Sequence, residues 1–173
     1  METRILPIQT TYKGYRFRSR LEARWAVFFD ALGVKYEYEP DAFRTSLGGY
    51  LPDFYLPHVA GGVFLEVKPA GGLHLDAVQK CYELSIGTRS PCILADGPPD
   101  DVYYWILDPS HSREWYCELS AGESIVAGVF CADRLNKDNT LEVSDYWDVV
   151  ESGRRRWVVQ DTPAVCAARG YRF

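Results

Sequence analysis

The chain has 173 residues, enough for one compact α/β domain with a substantial core and short for two. Hydrophobic residues make up 47% and charged residues 25% of it, which argues against a disordered or fibrous class, and no apolar run approaches the ~20 residues that a bilayer span needs. The net charge of −5 is unevenly spread: residues 1–35 carry seven basic and three acidic side chains, residues 154–173 five and one, and the stretch between them seven and twenty. The two basic ends are therefore the surfaces suited to phosphate, although basic ends on an acidic middle are also what plain solvated faces give.

Met1 to Pro7 lacks the basic patch, apolar stretch and small-residue cleavage site of a secretory leader, so the expected location is cytoplasmic. The five cysteines (Cys81, Cys92, Cys117, Cys131, Cys166) are scattered, with no pair at zinc-knuckle spacing, and are expected to be reduced. His58, His74 and His111 fall in no motif that would serve a cysteine nucleophile.

In chain order, Ser19 followed three residues later by Glu22 is a capping box. Leu21, Trp25, Phe28, Phe29 and Leu32 then recur at helical spacing up to Gly33, which predicts a helix over 20–32. Val34 to Glu39 alternates apolar and charged residues and stops at Pro40, the pattern of a half-buried strand. Tyr50–Leu56, a loop ending in Gly61-Gly62, and Val63–Lys68 read as a hairpin. A symmetric loop sets Phe54 opposite Leu65, Leu56 opposite Val63 and Pro52 opposite Val67 on an apolar face. A helix over Leu75–Leu84 and a strand over Pro91–Ala95 follow. Strand-like runs at Val102–Leu107, Trp115–Leu119, Ser124–Cys131 and Trp157–Gln160 predict further sheet, and Thr162-Pro163 starts a short helix over Ala164–Arg169. Aromatics such as Tyr103, Tyr104, Trp105, Trp115 and Tyr116 suit a β core better than base stacking.

The chemistry sits on the other face of the hairpin. The same register sets Asp53 across from Glu66, with Lys68 two residues further on that side. Like charges directly opposite each other destabilise a sheet, so a cation between them is expected. Mg²⁺ suits carboxylate oxygens, with the Val67 carbonyl as a further donor and Mn²⁺ as a substitute. Lys68 would then orient or deprotonate a water, or hold a phosphate oxygen as charge builds in the transition state. The competing explanation is a solvated hairpin face on which Lys68 merely neutralises Glu66.

These residues carry a resemblance. Pro52-Asp53 followed by Glu66-Val67-Lys68 resembles the PD-(D/E)XK, or restriction-endonuclease-like, nucleases, and Phe17-Arg18-Ser19-Arg20-Leu21-Glu22 is similar to the first helix of many members. The chain looks closest in kind to phage and mobile-element members and to the endonuclease subunit of heteromeric transposases. The resemblance spans about residues 12–95 and implies an αβββαβ core with a mixed central sheet flanked by helices. The expected organisation is thus a single domain with its core over about 12–108 and a C-terminal β-rich extension with a short helix over about 109–173. It also implies a catalytic set of Glu22, Asp53, Glu66 and Lys68, with metal at Asp53, Glu66 and Val67, although capping alone would also explain Glu22. Gln79 and Lys80 on the second helix are auxiliary candidates by the same resemblance.

The expected activity is Mg²⁺-dependent hydrolysis of DNA, with Arg18, Arg20, Arg154, Arg155 and Arg156 against the phosphates; exposed helix arginines otherwise simply face solvent. A protein partner or homodimer is compatible with this, and no membrane role is expected. The alternative is a catalytically silent nuclease-fold module that binds or inhibits a protein partner through the acidic middle.

Overall fold

A computed structural model describes residues 7–59, 61–72, 74–99, 103–107, 109, 129–135, 141–144 and 163–173. Its elements, in order, are β1 (Thr10–Tyr12), β2 (Tyr15–Phe17), α1 (Arg20–Leu32), β3 (Glu37–Tyr38), β4 (Phe43–Thr45), β5 (Gly48–Tyr50), β6 (Phe54–Leu56), β7 (Val63–Lys68), α2 (Leu75–Thr88), β8 (Cys92–Asp96), β9 (Tyr103–Leu107), β10 (Val129–Leu135), β11 (Leu141–Ser144) and α3 (Pro163–Gly170).

Both ends of α1 follow from its sequence. Ser19 is the N-cap, its hydroxyl accepting from the Glu22 amide at 3.1 Å. Gly33 ends the helix in the left-handed region at φ 71°, where a residue without Cβ is unstrained. The Val34 amide still donates to the Phe29 carbonyl, closing the helix terminus. The strand expected over Val34–Glu39 is for this reason cut to Glu37–Tyr38: its first residues belong to the helix stop. Glu39 at φ 48° turns out of the strand, its amide donating to the Asp53 carbonyl.

The central sheet runs β3-β6-β7-β8-β9. It is mixed: β7 and β8 are parallel, joined by α2 as the crossover, and every other neighbouring pair is antiparallel. The hairpin register holds at Phe54 opposite Leu65 and Leu56 opposite Val63. It stops short of Pro52 and Val67, because Asp53 intervenes as described below. Two features lie beyond the sequence reading: the β1–β2 hairpin turning at Lys13-Gly14, and a β4–β5 hairpin that claims Tyr50 from the strand expected over Tyr50–Leu56. The second helix runs on to Thr88.

Alternation along β7 divides the core. Val63, Leu65 and Val67 join Phe54, Leu56, Ile93 and Ala95 beneath Trp25, Phe28 and Phe29 of α1. Phe64 joins Cys92, Leu94 and Leu107 beneath Val78, Cys81 and Leu84 of α2. Helices therefore cover both faces of β7, and every residue from Val63 to Val67 is buried. The C-terminal helix α3 lies against α1, Ala168 is in the first cluster, and Tyr171 meets Tyr12 edge-on at 5.0 Å. Helix α3 thus packs in the α1 layer of the core.

Among the later expectations, the strand at Val102–Leu107 appears as β9 and the helix at Ala164–Arg169 as α3. Trp115–Leu119 and Trp157–Gln160 lie outside the described residues, as do the first five residues of Ser124–Cys131. Val129–Cys131 of that run fall in β10, while β11 and its pairing with β10 were not foreseen. No described helix is long and apolar enough to cross a membrane.

Phe54 is fully buried, its ring 5.5 Å from those of Phe29 and Tyr38 and 6.2 Å from that of Phe17. It therefore holds α1 and β2 onto the sheet. Phe54→Ala is expected to destabilise the protein by about 3–5 kcal/mol, the cost of an aromatic-sized core deletion. Urea denaturation checks this, and a loss under about 1 kcal/mol would mean that the cluster closes around the gap.

Candidate functional site

Asp53 and the Glu66–Lys68 ion pair lie where β6 begins and β7 ends, and Glu22 of α1 is near enough for its charge to act on Asp53. Asp53 immediately precedes β6 and is 3% exposed. Its carboxylate lies in the line of the ladder, where Oδ2 accepts from the Val67 amide at 2.7 Å and so replaces the main-chain partner that Pro52 would have supplied. Its Oδ1 accepts from the Arg18 guanidinium at 2.6 Å. Arg18 also donates to Glu39 at 2.8 Å, so one guanidinium ties the chain just before α1 to Glu39 after β3 and Asp53 before β6, at one end of the β3–β6 pair.

Glu66 faces the α2 side of the sheet, buried at 6% exposure. Lys68 reaches back along its own strand to pair with Glu66 Oε1. The Tyr50 hydroxyl donates to Glu66 Oε2 at 3.0 Å and touches Cys81 Sγ at 3.2 Å. Glu22, 8% exposed in the first turn of α1, is held by Ser19 Oγ on Oε1 and by the Tyr38 hydroxyl and the Arg18 amide on Oε2. The capping role and a place among the acidic residues are thus compatible, since the cap turns the Glu22 carboxylate inward.

The electrostatics are those of a crowded acidic site. Burial pushes the Asp53 carboxyl well above its usual range, and the charges of Glu66 and Glu22 add to that, against the Val67 amide and Lys68. Burial works against the Lys68 charge, but Glu66 outweighs it and holds the ammonium above its ordinary value. For Arg18, burial is likewise outweighed by Asp53, Glu22 and Glu39. Burial lifts the Tyr38 hydroxyl, helped by its bond to Glu22, and burial with Cys81, Cys92 and Glu66 lifts that of Tyr50, so both remain protonated donors.

The donor set of carboxylates and a backbone carbonyl suits a hard divalent cation. Even so, each oxygen of Asp53, Glu66 and Glu22 already has a partner from the chain. No group of three or more His, Cys, Asp or Glu is gathered closely enough to hold a metal ion among the described residues. Loading would thus require Arg18 and Lys68, the present counter-cations, to give way.

Of the other anticipated residues, Arg18 is directed onto Asp53, and Arg20 is exposed on the first turn of α1. Gln79 is occupied elsewhere, donating to Ser46 at 2.8 Å and Glu83 at 3.0 Å, which ties α2 to the β4–β5 turn. Lys80 is half-buried on the same helix. Arg154, Arg155 and Arg156 lie outside the described residues. Sequence reasoning missed Tyr38, Tyr50 and Glu39, whose roles arise only from contacts between elements. A cavity of about 710 Å³ beside Lys13, Asp30, Lys35, Tyr36 and His58 is lined by none of the four site residues.

No family model matches the chain, and no curated protein is similar to it. Among solved structures it is similar to SSO0001, with 15% identity over 58% of this chain and 54% of that one and a TM-score of 0.32, a likeness too distant to bear on chemistry. The chain thus spans about half the length of that protein.

A folded-state carboxyl raised above its unfolded value stabilises the fold fully below the unfolded pKa, and that contribution is lost as pH rises through the folded one. For Asp53 the window opens just above the ordinary 3.8 and extends upward. The stability of the wild type relative to Asp53→Asn is therefore expected to fall as pH rises through this window without added metal. Chemical denaturation of both proteins across pH measures it, and parallel pH curves would show that Asp53 ionises with no penalty.

Proposed function

We propose that the chain is a divalent-cation-dependent nuclease of the PD-(D/E)XK type that cuts DNA phosphodiester bonds, an endonuclease of the phage or mobile-element kind acting in the cytoplasm. The observation that carries this reading is that the charges of Glu66, Glu22 and Lys68, from α1 and β7, all act on the buried Asp53 carboxyl, which caps the Val67 amide at the end of the β6–β7 hairpin. The order helix, strand, hairpin, helix, strand over α1, β3, β6, β7, α2 and β8 supports it as the expected αβββαβ core.

Asp53 and Glu66, with the Val67 carbonyl, are the groups that would hold Mg²⁺ or Mn²⁺. The ion would supply Lewis-acid polarisation of the phosphoryl group. Lys68 would hold its ammonium against a phosphate oxygen as negative charge accumulates there, or orient the attacking water. Glu22, fixed by Ser19 and Tyr38, keeps a negative charge beside Asp53 and favours a cation in the site. Arg18 is half exposed, and once released from Asp53 it is suited to contact a phosphate; Arg20 and Arg154 to Arg156 would follow the backbone more loosely.

The closed hydrogen bonding of the three carboxylates favours a second reading, a silent nuclease-fold module that binds a protein partner. Here Arg18 and Lys68 are permanent counter-ions and the acidic middle of the chain is the contact surface.

Cleavage separates the two. The wild type with Mg²⁺ or Mn²⁺ is expected to cut at least one of duplex, nicked, branched or single-stranded DNA. Lys68→Ala and Glu66→Ala should lower the rate by at least about a hundredfold, the scale of a lost electrostatic contact to the transition state, with DNA affinity little changed. An absence of cleavage on every DNA and RNA form with either metal, combined with tight binding of a protein through the acidic surface, would establish the second reading instead.

A further inference from the structure

One acidic residue at this end of the sheet is absent from the motif. Asp96 closes β8, is 7% exposed, and its Oδ1 is buried with no hydrogen-bond partner among the described residues. Its place is tightly determined. The parallel register pairs Lys68 with Asp96. The amide of Gly97 donates to the Lys68 carbonyl at 2.8 Å, and the Trp25 indole donates to the Gly97 carbonyl at 3.1 Å. Gly97 takes φ 123°, which a side chain would resist, so the chain turns off the sheet immediately after Asp96.

Asp96 also shares a face with Lys68. Ile93 and Ala95 pack in the α1 layer with Leu65 and Val67, whereas Cys92 and Leu94 pack in the α2 layer with Phe64. Alternation then puts Asp96 on the side of Phe64, Glu66 and Lys68, and paired residues on neighbouring strands lie only about 4.8 Å apart. Buried carboxylate oxygens are almost always hydrogen-bonded, so one left free on the residue paired in register with Lys68, whose ammonium is bonded to Glu66, needs a reason.

Lys68 supplies it. Its ammonium is paired with Glu66, and its side chain is 29% exposed. A divalent cation drawn to Glu66 would repel the ammonium and take its partner, leaving a largely enclosed positive charge in need of an acceptor.

We propose that Asp96 is a positioning residue, the second acceptor onto which Lys68 moves when a divalent cation takes Glu66. This rests on the nuclease reading and adds to it a two-position lysine: on Glu66 in the ion-free site, and on Asp96 in the loaded one. Asp96 itself touches neither cation nor phosphate. It keeps Lys68 within the site and directed across the sheet, where a fixed ammonium can meet a phosphate oxygen.

The test is Mn²⁺ affinity by calorimetry in a four-protein cycle: wild type, Asp96→Asn, Lys68→Met and the double variant, each checked for folding by melting. Asp96→Asn is expected to weaken Mn²⁺ binding by about ten- to a hundredfold, the scale of a hydrogen bond to a charged group, and to have no effect in the Lys68→Met background. Equal affinity of Asp96→Asn and wild type overturns the proposal, as does the same loss in both backgrounds, which would make Asp96 a ligand or a bulk charge. If the wild type binds no Mn²⁺ at all, it is the nuclease reading that fails. A second measurement needs no variant at Asp96: the ¹³C signal of the Asp96 carboxyl in the wild type should move on adding Ca²⁺ and stay still in Lys68→Met. A signal that is indifferent to Ca²⁺ in the wild type overturns the proposal even if Asp96→Asn does not fold.

Discussion

Asp53 must hide a carboxylate inside the end of a hairpin, and the surrounding structure answers that requirement. A buried carboxylate without partners costs several kcal/mol, so the chain offers it one backbone amide and one guanidinium. The amide is that of Val67, which anchors β7 to β6 beyond the last ladder pair. The guanidinium is that of Arg18, which brings the start of α1 onto the sheet and fixes Glu39 on the way. Glu22 follows because Arg18, Ser19 and Glu22 form one capping unit. The start of one helix, the end of one strand and the turn after another are in this way tied to a single buried charge.

The charge balance around that point gives the site its character. Four carboxylates, Glu22, Glu39, Asp53 and Glu66, face two cations, Arg18 and Lys68. On the nuclease reading, the excess negative charge would attract a further cation. Tyr38 and Tyr50 contribute hydroxyls rather than charge, so each orients a carboxylate without adding to the imbalance. The same network that makes the folded chain self-sufficient sets the condition for loading it, because an incoming ion must outbid two ion pairs. The nuclease reading thus treats Arg18 and Lys68 as groups that change partners.

Several of these features were legible in the sequence because they are local. Ser19, Glu22 and Gly33 mark both ends of α1 through backbone chemistry confined to a few residues. The pairing of Phe54 with Leu65 follows from one apolar alternation folded on one loop. Where neighbours far apart in the chain decide, the sequence was silent or misleading. Val34 alternates like a strand but is claimed by the helix terminus. The β1–β2 and β4–β5 hairpins are built of three-residue strands, too short to show a period. Asp53 lies one residue outside the paired register, since a side chain that can cap the Val67 amide takes the place of the next ladder bond. Tyr38, Tyr50 and Asp96 belong to ordinary-looking segments, and only the assembled sheet brings them beside the acidic residues.

The central claim is that Arg18 and Lys68 hold places which a divalent cation can take. Anomalous diffraction from crystals of the wild-type protein equilibrated with Mn²⁺ addresses this directly. The account predicts an ion between the carboxylates of Asp53 and Glu66, with the Arg18 guanidinium turned away from Asp53. Crystals saturated with Mn²⁺ in which Arg18 stays on Asp53, Lys68 stays on Glu66 and no anomalous peak lies between the two carboxylates would contradict it.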